Sequence, residues 1–187
     1  MTRSLLFDAE ADGFLDTVTQ IHCIVVKHIE ADKTYRFYDP IPGLEHTDGD
    51  YPLKYARPVF KNATTLIGHN IIGYDNDLLK RFLRLDLTDK EIFDTLVWSQ
   101  TLNPDRKLPK GCPAVMYNPV AGKNDKIGPH SVAAWGYRVA RAKPVHHDWL
   151  TFSPEMLYRC EEDVAIQEKI MYAVLEEAEL TLEDVLR

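Results

Sequence analysis

Leu5-Leu6-Phe7-Asp8-Ala9-Glu10 reads as a short buried strand that is apolar on both faces and yet carries two acids before the turn at Asp12-Gly13. Successive side chains on a strand point to opposite faces, so Asp8 and Glu10 share one. Two like charges on a buried face repel each other and cost several kcal/mol unless something positive compensates them. A divalent cation is an economical partner, because hard cations take carboxylate oxygens as ligands. The other reading is a strand end that dips into water.

The flanking chain supplies a sheet. Gln20 to Lys27 is a nearly continuous apolar run, as expected of a central strand, and Thr34 to Asp39 alternates and stops at Pro40. Three strands in succession point to an antiparallel meander. Thr65-Leu-Ile-Gly68 is a further short strand, followed by a helix near Asn76 to Leu85 and by helical spacing from Asp94 to Thr101. Asn103 to Pro129 holds five prolines and three glycines without an apolar period, the composition of a functional or mobile loop. A helix is expected over His130 to Ala140. A long one begins at Phe152-Ser-Pro-Glu, with Ser153 as N-cap and Pro154 in the first helical position. Strands first, then helices around one late strand, give an α/β sheet with helices packed on it.

At 187 residues the chain is expected to be a single domain, 1–187. It has 45% hydrophobic and 27% charged residues, which suits a globular protein and not a disordered one. No apolar run is long enough for a membrane span, and the N-terminus reaches the charge of Asp8 before a signal-peptide core could form. Cys23, Cys112 and Cys160 lie far apart, so a disulfide framework is not expected and a reducing, cytoplasmic setting fits. The net charge of −7 is concentrated: Glu155 to Arg187 has ten acids and three bases, whereas the rest balances. Between Asn103 and His130, Arg106, Lys107, Lys110, Lys123 and Lys126 outnumber Asp105 and Asp125. Acidity overall therefore does not exclude a phosphate-rich ligand.

Along the last helix, at about 100° per residue, Met156, Cys160, Val164, Ile170, Met171 and Val174 form one stripe. Asp163 lies inside it, while Glu161 and Glu162 point away. Asp163 is thus an acid on a core face that needs a partner. A fourth acid, Asp75, sits where Leu66-Ile-Gly68-His69-Asn70-Ile-Ile-Gly73-Tyr74-Asp75 passes from strand to helix, and it can face the crevice of Asp8 and Glu10. The Gly68-x4-Gly73 spacing mimics a phosphate loop, but Tyr74 and Asp75 follow in place of Lys and Ser or Thr, so that reading fails.

Taken in order, Asp8-x-Glu10, His69-Asn70-x4-Asp75 and the late Asp163 resemble the three motifs of the DEDD 3′–5′ exonucleases. The proofreading domains of phage-type family A DNA polymerases are the nearest likeness. Thr19 to Cys23, Asp94 to Ser99 and Gly128 to Arg138 support it, and the likeness runs from about Leu5 to Leu175. The resemblance implies a ribonuclease H-like mixed five-stranded sheet and hydrolysis of the terminal phosphodiester by two divalent metal ions, Mg²⁺ or Mn²⁺. Asp8, Glu10 and Asp163 would hold one ion and Asp8 the second, with Asp75 helping through water. It also implies substrate contacts at Phe14, as an apolar wedge against the terminal base, at Asn70 and at His130.

The third motif departs from the family pattern. Related sites carry Tyr four residues or His five residues before the aspartate, where this chain has Arg159 and Tyr158. A helix already regular at 158 turns Tyr158 about 140° away from Asp163 and faces Arg159 to the site. A loosened first turn would instead let Tyr158 orient the attacking water. His146-His147-Asp148 reads as a solvated turn, and the basic stretch 103–130 as a track for the DNA backbone. The expected activity is a metal-dependent exonuclease on single-stranded or frayed DNA 3′ ends, either free-standing or serving a separate polymerase through a split gene or a truncated chain. An RNA-trimming exonuclease and a weakly active polymerase-docking module are the competing readings.

Overall fold

The computed structural model describes residues 3–118, 123–141, 143 and 148–186. His146 and His147 therefore lie outside the described residues. The first three strands, β1 (Ser4–Ala11), β2 (Ile21–His28) and β3 (Lys33–Tyr38), form the expected antiparallel meander. A two-residue strand β4 (Asp50–Tyr51) follows, then α1 (Ala56–Lys61), β5 (Thr65–Gly68), α2 (Asp75–Leu83), β6 (Glu91–Asp94) and α3 (Thr95–Leu102). The sheet order is β4-β3-β2-β1-β5-β6, with β5 parallel to β1 and β6 parallel to β5.

The mixed α/β sheet is thus as expected, with six strands in place of five. The extra strand pairs parallel to β3 at the edge. Its cause is one side chain. The Asp50 carboxylate accepts from Arg36 Nε, Thr47 N (2.7 Å) and Tyr38 OH (2.9 Å), which ties the 47–50 loop to β3. The proline-rich stretch is also more ordered than its composition implies, because β7 (Val115–Asn118) and β8 (Lys123–Lys126) pair there as an antiparallel hairpin. It ends at α4 (Val132–Arg138), whose N-cap is Ser131. The long helix α5 (Pro154–Glu177) starts where Ser153 Oγ accepts from Met156 N at 3.2 Å. A short α6 (Leu182–Val185) closes the chain on a Thr181–Asp184 capping box.

Alternation along β1 divides the core. Leu5, Phe7 and Ala9 face α1 and α2, packing with Phe60, Ile71, Leu78 and Leu79. Leu6, Asp8 and Glu10 are on the other side, which α5 covers through Cys160, Val164, Ile170 and Val174. Each such apolar side chain contributes about 1.5–3 kcal/mol when fully buried. The α5 stripe therefore carries enough stabilisation to hold a buried acid among its members. Among the described residues no helix is long and apolar enough to cross a membrane, and the three cysteines are free thiols.

Gly68 sets how closely the β5 end approaches β1. A Cβ there would clash with Ile71 Cγ2 and meet the Phe7 carbonyl oxygen at 3.0 Å. Gly68→Ala should therefore destabilise the protein by about 1–3 kcal/mol through overpacking. Thermal melting checks this, at about 2–4 °C per kcal/mol for a chain of this size. A melting point equal to wild type would show that the 69–74 turn yields freely.

Candidate active site

Strand β1 delivers Asp8 and Glu10 to the α5 face of the sheet, and α5 delivers Asp163 to meet them. One carboxylate oxygen from each of the three lies within 4.8 Å of the others. Helix α5 is regular from Pro154, so its apolar stripe, set by the 3.6-residue period, is what turns Asp163 inward. Asp163 is 2% exposed, whereas Glu161 and Glu162 are half-buried and pair with Arg36 and Arg141. Asp163 Oδ1 is buried without a hydrogen-bond partner. An ionised oxygen left so is costly, and an oxygen-seeking divalent cation would satisfy it.

The electrostatics agree with that fit. Desolvation first, then the charge of Asp163, raises the Asp8 pKa to about 6. Desolvation and then Asp8 raise Glu10 to about 8. The carboxylates crowd together more than the surroundings tolerate, as expected where a bound cation is part of the design.

Asp75 begins α2 and is buried beside the trio rather than in it. Its Oδ1 accepts from Ala9 N at 3.1 Å, which bridges the helix start to β1 between the two β1 acids. Burial, then Asp8, pushes its pKa well above the usual carboxylate range. The 69–74 turn before it is fixed by Asp94, whose carboxylate accepts from Asn70 N (2.8 Å), Ile72 N (3.0 Å) and Leu96 N (2.9 Å). Asn70 itself is exposed and takes the left-handed backbone (φ +65°) that the turn requires.

Two cations enter the site. Arg159 Nη1 lies 2.9 Å from Glu10 Oε1, and Nη2 lies 3.6 Å from Asp163 Oδ2. Lys143 Nζ lies 2.6 Å from Asp163 Oδ2. The regular start of α5 decides between the two readings of the third motif. Tyr158 is turned out of the site and 54% exposed, while Arg159 occupies it.

Gln167 went unnoticed in the sequence. Its Nε2 donates to Asp8 Oδ1 at 2.8 Å and its Oε1 accepts from His69 N at 3.1 Å, so one amide fixes Asp8 against the end of β5. It lies four residues after Asp163 on the same face, so the reasoning that exposed Asp163 could have found it. Cys160 also donates its thiol to Asp8 Oδ2 at 3.6 Å.

The remaining candidates are peripheral. Phe14 is 81% exposed in the turn after β1, so it is not core. His130 precedes α4, with Nδ1 2.8 Å from Ser99 Oγ, which also accepts from Trp135 Nε1 at 3.1 Å. Arg106 packs over Trp135 and pairs with Glu177 at 2.6 Å, whereas Lys107, Lys110, Lys123 and Lys126 are exposed.

No family model matches the chain. It is 25% identical to the DNA-directed DNA polymerase of Enterobacteria phage T3 and 23% identical to that of Escherichia phage T7, over 91% of its length in each case. It spans only about a quarter (26%) of those relatives. In fold it is similar to Brucella melitensis NrnC bound to pGG, with a TM-score of 0.58 and 12% identity, covering 96% of this chain and 74% of that one. The family B DNA polymerase of Pyrobaculum calidifontis gives a TM-score of 0.55 at 11% identity, over 94% of this chain and 25% of that one. The fold is shared with these structures, and the likeness to the phage polymerases fits the resemblance to the DEDD 3′–5′ exonucleases that the order of the acidic motifs carries.

Proposed function

We propose that this domain removes nucleotides from the 3′ end of single-stranded or frayed DNA by metal-dependent hydrolysis. The observation that carries it is the meeting of Asp8, Glu10 and Asp163, with Asp163 Oδ1 buried and unpartnered. Asp8, Glu10 and Asp163 would hold one divalent ion, Mg²⁺ or Mn²⁺, and Asp8 a second with Asp75 behind it. Such a pair supplies an activated water and neutralises charge on the leaving 3′ oxygen.

The chain's own groups position the carboxylates. Gln167 fixes the Asp8 carboxylate, Asp75 fixes β1 to α2, and the apolar stripe of α5 packs Asp163 against the sheet. Phe14 projects from the end of β1 as an exposed aromatic, suited to stacking on the terminal base. Asn70 at the turn, His130 before α4 and the exposed lysines of 107–126 would line the path of the strand. A separate polymerase is the partner such a proofreading activity would serve.

Incubating the protein with a 5′-labelled DNA oligonucleotide and Mg²⁺ or Mn²⁺ tests this reading. A ladder that shortens from the 3′ end and stops with EDTA is expected. The same assay on RNA and on the dinucleotide pGG ranks the substrates, and cleavage of RNA alone would replace the DNA reading. Phe14→Ala should weaken binding of single-stranded DNA by about 1–3 kcal/mol, the scale of one base–aromatic stack. An exposed side chain contributes little to folding, so its melting point should stay near wild type. Unchanged binding would remove Phe14 from the substrate path.

A further inference from the structure

We propose that Arg159 grips the phosphate at the terminal linkage of the substrate, filling the position where related sites carry tyrosine. This rests on the exonuclease reading above but concerns a residue that the family pattern does not supply. The guanidinium is held in a slot. Its central carbon lies 4.3 Å from the centre of the Trp149 ring, and the Trp149 carbonyl oxygen accepts from His22 Nε2 at 3.0 Å. The side chain is 11% exposed, and its Nε is buried without a hydrogen-bond partner. Nη1 donates to Glu10 Oε1, and Nη2 reaches toward Asp163 Oδ2 without hydrogen-bonding distance.

A mere counter-ion for the acids does not need this arrangement. Lys143 already neutralises Asp163, and a point charge would serve Glu10 as well. A guanidinium is a planar fork of five donors that matches phosphate oxygens two at a time, and stacking on an aromatic face fixes its plane. Glu10 and Asp163 would hold a divalent ion with the same carboxylate oxygens that now attract Arg159, which would leave its Nη donors available to a phosphate. The fork then has an anion of matching geometry within reach, in a place where charge-assisted bonds are strong.

The test couples the side chain to the phosphate without cleavage. Binding of a fluorescent oligonucleotide is measured in Ca²⁺, with either a normal or a neutral methylphosphonate linkage at the 3′ end. Wild type, Arg159→Ala and Arg159→Lys are compared. Wild type should lose at least about tenfold in affinity on the neutral linkage, and Arg159→Ala should lose almost nothing further. Arg159→Lys keeps the charge without the fork and should fall between. Mn²⁺ binding, read by calorimetry, should be as tight in Arg159→Ala as in wild type or tighter, while turnover in Mg²⁺ falls on the order of 100-fold.

Equal methylphosphonate penalties in wild type and both variants would overturn the proposal and leave Arg159 as a counter-ion. An Arg159-dependent penalty in a wild type that never cleaves would retain the phosphate contact and reject the exonuclease reading. Failure of wild type to bind any oligonucleotide would reject both.

Discussion

Asp8→Asn should reduce 3′-end hydrolysis by on the order of a thousandfold or more and, in the absence of metal near pH about 8, raise the melting point. Both effects come from one charge. Asp8 would be shared by both ions, so its loss removes a ligand from each. Without metal the same charge is a burden. Desolvation and Asp163 push its pKa up to about 6, and among the described residues it makes no ion pair. Asparagine keeps an oxygen for Gln167 Nε2, the bond now made to Asp8 Oδ1 at 2.8 Å, so the packing survives. The gain in melting temperature should vanish near pH about 5, where Asp8 carries its own proton. Comparing activity and melting curves of the two proteins at both pH values checks the pair of effects. A variant that loses activity because it melts lower at both pH values would contradict the charge argument.

Metal-free stability should fall as pH rises from about 6.5 to 8, and added Mg²⁺ or Mn²⁺ should restore it at the upper end. A carboxylate whose pKa is higher in the folded state binds its proton more tightly there. The stability it contributes is therefore complete below the unfolded value and is lost as pH climbs through the folded one. For Asp8 the climb is from 3.8 to about 6, and for Glu10 from 4.5 to about 8. Asp75 acts in the same direction. His69 opposes them lower down. Burial depresses its pKa from 6.5 to about 4, so its contribution is lost as pH falls through that range. Above pH about 7.5 His69 is largely neutral in both states, which leaves the raised acids Glu10 and Asp75 as the source of the slope. Chemical denaturation across this window, with and without metal, measures it. A metal-free stability that rises with pH there would mean that Arg159 and Lys143 fully compensate the acids.

The sheet and the acids were legible because both rest on short-range periodicity. The two-residue alternation of β1 assigned Asp8 and Glu10 to one face, and the 3.6-residue period of α5 put Asp163 on the core side. The same helical period, extended one turn, would have added Gln167. What was not legible depends on contacts without a local signature. Strand β4 exists because Asp50 gathers Arg36, Thr47 and Tyr38. The β7–β8 hairpin forms where composition alone read as loop, and Lys143 and Trp149 arrive from segments with no apolar pattern. Tyr158 against Arg159 turned on a single question, whether the first turn of α5 is regular. Ser153 and Pro154 answer it by starting the helix early enough for Arg159 to face Glu10.

Calorimetric titration of Mn²⁺ into the wild-type protein and into Asp163→Asn, near pH about 8 and without DNA, tests most directly whether these carboxylates form a metal centre. Saturable binding is expected in wild type, weakened by at least about tenfold when the Asp163 charge is removed. Equal binding in both proteins, or none in wild type, would contradict a metal centre built on Asp8, Glu10 and Asp163.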